Sequence, residues 1–246
     1  MTVDCAKMAK LSGIAYLDGP EAKPLMKELG YTTHKFIEKD GAQCHIVSNK
    51  EEVVVVFRGT EPGEISDVLA DLNAWPDKPM IGKGLVHNGF QEEVNKVWDP
   101  IQSTLNKMKR EGKHFYVAGH SLGGAMATIF TSRMADQVSA LFTYGSPRTG
   151  TRAFVKAFEH VPHFRHVNNN DIVTSVPLWI MGYRHHGKST YINHYGFIRK
   201  FTPWQRFKDK MRGRWEALKK GKPFDGVGDH DINKYFKHTN KNQKKK

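Results

Sequence analysis

Apolar positions recur along this chain with two different periods, and each period predicts a type of element. Phe90, Val94, Val97, Trp98, Ile101, Leu105 and Met108 follow steps of three and four until Gly112 ends the pattern. That spacing predicts an amphipathic helix laid on a sheet. Val53 to Phe57 instead reads VVVVF, a continuous β-branched run suited to a strand buried on both faces. His45 to Ser48 reads as a second strand, and Met8, Leu11 and Ala15 give helical spacing to roughly Val3 to Tyr16. Further on, a strand is expected at Phe115 to Gly119, a helix at Leu122 to Ala135 and a strand at Ala140 to Gly145. A helix near Ala153 to Phe158 and a strand at Phe164 to Val167 follow. Strand alternates with helix, so the expected fold class is α/β, with a mostly parallel central sheet and helices on both faces.

A second amphipathic pattern lies near the end of the chain. Trp204, Phe207, Met211, Trp215 and Leu218 step by three and four, and Arg206, Lys208, Lys210, Arg212, Arg214, Lys219 and Lys220 populate the remaining faces. Such a stripe suits either a membrane interface or packing on the core, and Gly213 weakens the helix by up to about 1 kcal/mol. The expected organisation is one domain over 1–240 with this basic insertion at about 199–222, followed by a flexible basic tail at 241–246.

The chain of 246 residues can bury a core without disulfide staples. Its net charge of +13 is concentrated: 16 basic against 5 acidic side chains fall within 199–246, a balance of +11 that leaves +2 for the rest. That points to a local patch for an anionic surface, such as a membrane carrying anionic lipid, and away from a uniformly nucleic-acid-binding protein. No nucleic-acid motif accompanies it. Cys5 and Cys44 are too few for a disulfide framework and lack zinc-site spacing. No secretory leader is evident at the start, which gives a cytoplasmic or peripheral-membrane expectation.

The chemistry concentrates where the strand FYVAG ends in Gly119-His120-Ser121-Leu122-Gly123, a G-x-S-x-G at a strand-to-helix turn. Such a turn presents a serine as a nucleophile, with glycines where helix and strand approach too closely for side chains. A serine hydroxyl needs a base, and the base an orienting acid, in the chain order serine, acid, histidine. Asp171 is the first carboxylate after the strand FRHV. Among the downstream histidines, His185 and His186 sit in a segment suited equally to packing. His230, in the Gly-rich GVGDH, is the favoured base, with His194 as the alternative.

With these residues in place, the chain resembles the class 3 lipase family, the fungal lipase-like branch of the α/β-hydrolases. Seven strings carry the resemblance in order: VVVVFRGT at 53–60, VHNGF at 86–90, VAGHSLGGA at 117–125, YGSPRTG at 144–150, HVNNNDIVTSVP at 166–177, YRHHGK at 183–188 and HDINKYF at 230–236. The resemblance implies the α/β-hydrolase fold and hydrolysis of lipid acyl esters, with Ser121, Asp171 and His230 as the triad. It further implies Thr60 and Leu122 as the oxyanion hole and no metal or organic cofactor. In the interval 61–83, where the family often places a lid, Ile65, Val68, Leu69 and Leu72 make one apolar stripe that suits either a short amphipathic lid or a fixed surface helix. A phospholipase A1-like activity and a non-catalytic lipid-binding protein on the same fold are the competing expectations.

Overall fold

Strand β3 (Glu52–Phe57) shows why its sequence carries no polar alternation. In this computed structural model, Val53, Val55 and Phe57 enter one apolar cluster while Val54 and Val56 enter another on the opposite face of the sheet. The structure describes residues 4–61, 63–64, 75–108, 110–219, 221 and 225–244. Ile65, Val68, Leu69 and Leu72, the expected lid stripe, lie outside the described residues.

The main sheet is built from β1 (Thr33–Lys39), β2 (Ala42–Ser48), β3, β6 (His114–His120), β7 (Ala140–Tyr144), β9 (His163–Asn168) and β11 (Ser189–Ile192), in the order β1-β2-β3-β6-β7-β9-β11. The pairings β1/β2 and β2/β3 are antiparallel, and the four from β3/β6 to β9/β11 are parallel. Short strands β4 (Pro76–Asp77), β5 (Val86–His87), β8 (Gly150–Thr151) and β10 (Tyr183–Arg184) form a separate small sheet.

Helices cover both faces. On one side α3 (Asn88–Lys107) and α4 (Leu122–Arg133), with the short α5 (Arg152–Lys156), bury Phe90, Val94, Val97, Ile101, Leu105 and Phe130 against the sheet. On the other, α1 (Cys5–Ile14) and α2 (Gly19–Glu28) supply Met8, Leu11, Ala22 and Met26, and the last helix, α7 (Ile232–Gln243), supplies Tyr235. The expected elements from Val53 onward are found within a few residues of their anticipated ends. The strands β1 and β11, the four short strands of the small sheet and helices α2 and α7 lie beyond the expected elements; β1 is largely exposed and α2 carries Pro24 in its interior.

One boundary changes. The expected tail at 241–246 begins inside α7, which continues to Gln243 and is fastened there. Ala6 N donates to Gln243 Oε1 at 2.9 Å, and Asn242 Nδ2 donates to Gly196 O at 3.0 Å. The basic segment is helical over Pro203–Lys219, here α6, and it does not pack its aromatic stripe on the core. Trp204 and Trp215 are both 62% exposed and Leu218 55%, while Asp209, Gly213 and Ala217 are the buried positions. Cys5 and Cys44 are not joined in a disulfide.

Candidate active site

The turn between β6 and α4 forces Ser121 into φ 57° and ψ −131°, a conformation that costs a non-glycine residue on the order of 1–3 kcal/mol. Its N–H is held by the carbonyl of Tyr144 at 3.1 Å on the neighbouring strand. The close approach that makes the turn possible explains the glycine two residues on. A Cβ on Gly123 would lie 2.3 Å from the Phe57 carbonyl oxygen, inside any permitted contact. Helix α4 starts at Leu122, so that residue's N–H is among the orphan donors of a helix N-terminus and the helix dipole is positive there.

Asp171 and His230 are brought together, although 59 residues separate them in the chain. The His230 Nδ1 lies 2.9 Å and 3.0 Å from the two Asp171 carboxylate oxygens, and both side chains are buried. A buried carboxylate is tolerable only when its lone pairs are taken up. Here Val173 N donates to Oδ1 at 2.9 Å and the Tyr235 hydroxyl donates to Oδ2 at 2.5 Å. Tyr235 also accepts from Asn168 N at 3.0 Å, so one phenol bridges the acid and the strand that precedes it. The loops carrying the two residues are further tied by Asn168 Nδ2 donating to Asp229 O at 2.9 Å and Asn170 N donating to Asp229 Oδ2 at 3.2 Å. With Nδ1–H directed at the carboxylate, the Nε2 of His230 carries the lone pair, and among the described residues it has no hydrogen-bond partner although it is buried.

His120, the residue before the serine, holds His230 from a second side. Its Nε2 faces the His230 carbonyl oxygen at 2.7 Å, so that nitrogen carries the proton, and its Nδ1 accepts from the Tyr16 hydroxyl at 2.7 Å. The two imidazole rings lie 4.4 Å apart. Burial, with the neighbouring His230 as a lesser cause, pushes the His120 pKa well below the ordinary histidine value, so the ring stays neutral in this role. Tyr16, His120 and Tyr235 had no assigned role in the sequence. Only the place of His120 inside G-H-S-L-G and of Tyr235 inside HDINKYF hinted at one.

The remaining expected residues are distributed as follows. The chain leaving β3 passes beside the serine, for a Cβ on Gly59 would lie 3.2 Å from the Ser121 Cβ. The next residue, Thr60, and Leu122 both line a cavity of about 270 Å³ together with Arg58, Glu61, Glu93 and Met126. A second cavity of about 480 Å³ opens beside His230 and His120, walled by Ile14, Leu17, Val227, Ile232 and Phe236. His194 does not meet Asp171: its Nε2 lies 2.9 Å from Glu216 Oε2 on α6. His185 Nε2 faces the Thr174 carbonyl at 2.9 Å and His186 Nε2 faces the Phe158 carbonyl at 3.0 Å, both as packed rings.

Comparison with known proteins agrees with this architecture. Toxin TseL of Vibrio cholerae is 30% identical over 209 residues, covering 65% of this chain and 32% of that protein. The lipase of Rhizomucor miehei is 30% identical over 156 residues, covering 58% of this chain and 42% of that protein. The solved native propeptide complex of the Rhizomucor miehei lipase superimposes with a TM-score of 0.64 at 25% identity, covering 76% of this chain and 67% of that chain. The chain therefore has the α/β-hydrolase fold of the fungal lipases and spans less than half the length of these two curated relatives. Among the described residues no helix is long and apolar enough to cross a membrane. The sequence pattern of the class 3 lipases matches residues 54–181, more than half of the chain, and the chain belongs to the class 3 lipase family.

Proposed function

We propose that this chain is a serine hydrolase of lipid acyl esters, with Ser121 as nucleophile, His230 as general base and Asp171 as the orienting acid. The observation that carries the reading is the buried His230, held on Nδ1 by Asp171 and left with a free Nε2. A ring so fixed can accept one proton and has no other use for that nitrogen. The Ser121 hydroxyl attacks the ester carbonyl as His230 Nε2 takes its proton, and the imidazolium formed is stabilised by the Asp171 carboxylate. The carbonyl oxygen, now negative, is received by the N–H groups of Thr60 and Leu122, a contribution of about 10²–10³ in rate for each donor. His230 then returns the proton to the leaving alcohol. Loss of that alcohol leaves the acyl group on Ser121; a water molecule, deprotonated by the same nitrogen, adds to this ester, and the fatty acid departs as His230 returns the proton to the serine oxygen.

The relatives support a lipid substrate, being described as lipases in the fungal case. The apolar wall of the cavity beside His230 suits an acyl or alkyl chain. A phospholipase A1-like activity is the second reading, favoured by the cationic outer face of α6. The test is hydrolysis of short-chain and long-chain chromogenic esters by the native chain and by Ser121→Ala. Loss of at least about 10⁴-fold in kcat is expected for the variant, with circular dichroism unchanged. Release of fatty acid from phosphatidylglycerol faster than from triacylglycerol would select the second reading. Turnover equal in the two proteins would refute both.

A further inference from the structure

Helix α6 turns its large apolar residues outward and its small ones inward, and the inward side explains why. The Asp209 carboxylate is buried, accepting at Oδ2 from Asn169 Nδ2 at 2.8 Å, the Tyr191 hydroxyl at 2.9 Å and His194 N at 3.0 Å. One turn on, a Cβ at Gly213 would lie 2.7 Å from Asn169 Oδ1 and 2.8 Å from Asn170 Nδ2, so only glycine seats the helix on this loop. The other acid of the helix, Glu216, is engaged by His194. Both negative charges of α6 are thereby drawn to its inner side.

What remains outside is aromatic and positive. Trp204, Phe207, Met211, Trp215 and Leu218 are between 46% and 62% exposed. Lys208, Arg212, Arg214 and Lys219 flank them, also exposed, and none takes part in the ion pairs found among the described residues. Lys208 Nζ stands 5.2 Å from the Trp204 ring centre and Lys219 Nζ 5.6 Å from that of Trp215, so cation and aromatic ring reach the same level along the helix. A monomer gains nothing by exposing two tryptophans, a phenylalanine and a methionine in one row. Pairing of the stripe with that of a second copy would bring two rows of uncompensated cations together. A surface of anionic lipid satisfies both halves at once, taking the apolar side chains into the boundary between headgroups and acyl chains and the cations onto phosphates.

We infer that α6 is an interfacial docking helix that lies flat on a bilayer carrying anionic lipid, with Trp204, Phe207, Met211, Trp215 and Leu218 inserted and Lys208, Arg212, Arg214 and Lys219 on the phosphates. The helix is braced on Asn169 and Asn170, the two residues before Asp171, so docking leaves one helix between the membrane and the loop that carries the acid of the site. The inference concerns binding and does not depend on ester hydrolysis.

The test is vesicle flotation of the Ser121→Ala chain, which reads binding without turnover. Vesicles of phosphatidylcholine mixed with phosphatidylglycerol are expected to carry the protein, less so as salt rises, and pure phosphatidylcholine to carry little. Each cation near an anionic surface contributes roughly fivefold in partitioning, so converting Lys208, Arg212, Arg214 and Lys219 together to Gln should lower it by roughly a hundredfold or more. Trp204→Ala with Trp215→Ala should lower it comparably. Both sets, placed in the otherwise native chain, should leave the rate on a soluble short-chain ester unchanged. Failure of the chain to float with anionic vesicles overturns the inference, as does equal flotation of the variants. So would a dimer dispersed by the tryptophan substitutions, or tighter binding to a single-stranded oligonucleotide that displaces the protein from vesicles.

Discussion

Helices α3 and α6 carry the same kind of sequence pattern and use it in opposite ways. In α3 the residues spaced by three and four are Phe90, Val94, Val97, Ile101 and Leu105, all buried against the sheet. In α6 the equivalent spacing gives Trp204, Phe207, Met211, Trp215 and Leu218, all exposed, and the inner side consists of Asp209, Gly213 and Ala217. Periodicity identifies a face of a helix but not the medium that the face meets. The medium is set by what the opposite face can do. For α6, a carboxylate with three donors waiting and a glycine with no room for a side chain make the polar side the buried one.

Stability measurements on the two helices can break that contrast. The largest effect is expected for Ile101→Ala in α3, which leaves a cavity in the main core and should cost about 2–5 kcal/mol in urea unfolding. A cost near zero would mean that the α3 stripe is not the structural one. Asp209→Ala should cost about 1–3 kcal/mol, because Asn169, Tyr191 and the His194 N–H lose their shared acceptor. The same change loosens the seat of Asn169 beside the acid loop, so kcat on a short-chain ester should fall as well. A chain that keeps full activity after Asp209→Ala would separate the seat of α6 from the site. The smallest effect is expected for Trp215→Ala, within about 0.5 kcal/mol of the native stability despite the size of the side chain removed. A loss as large as that of Ile101→Ala would show that the stripe is buried in solution and would end the contrast.

The site shows the same division between a local signal and a distant consequence. The elbow was readable because every requirement for it is local: a strand, a sharp turn, glycines at the close approach and a helix start, all within about twenty residues. Thr60 and Leu122 were assigned through family resemblance, and they line one cavity beside the turn. The choice of His230 over His194 rested on loop context. What separates them physically is the partner each reaches, the Asp171 carboxylate for one and Glu216 for the other. The supports were not legible. Tyr235 reaches Asp171 from α7 and Tyr16 reaches His120 from beyond α1, contacts across 64 and 104 residues that no local spacing encodes. The end of α7 has the composition of a tail, because Lys241 to Lys246 is wholly polar, yet Asn242 and Gln243 are fixed by hydrogen bonds to Gly196 and Ala6.

By itself the sequence determined the α/β class, the main-sheet strands and covering helices from Val53 to Val167, the turn that strains Ser121 and the concentration of positive charge near the end of the chain. These depend on backbone preference, hydrophobic period and composition, which act over short ranges. Only the tertiary structure decided which histidine meets Asp171, which tyrosines hold that pair, and that the aromatic side of α6 faces outward. Those outcomes depend on where a buried polar atom finds its partner, and that partner lies wherever the fold places it.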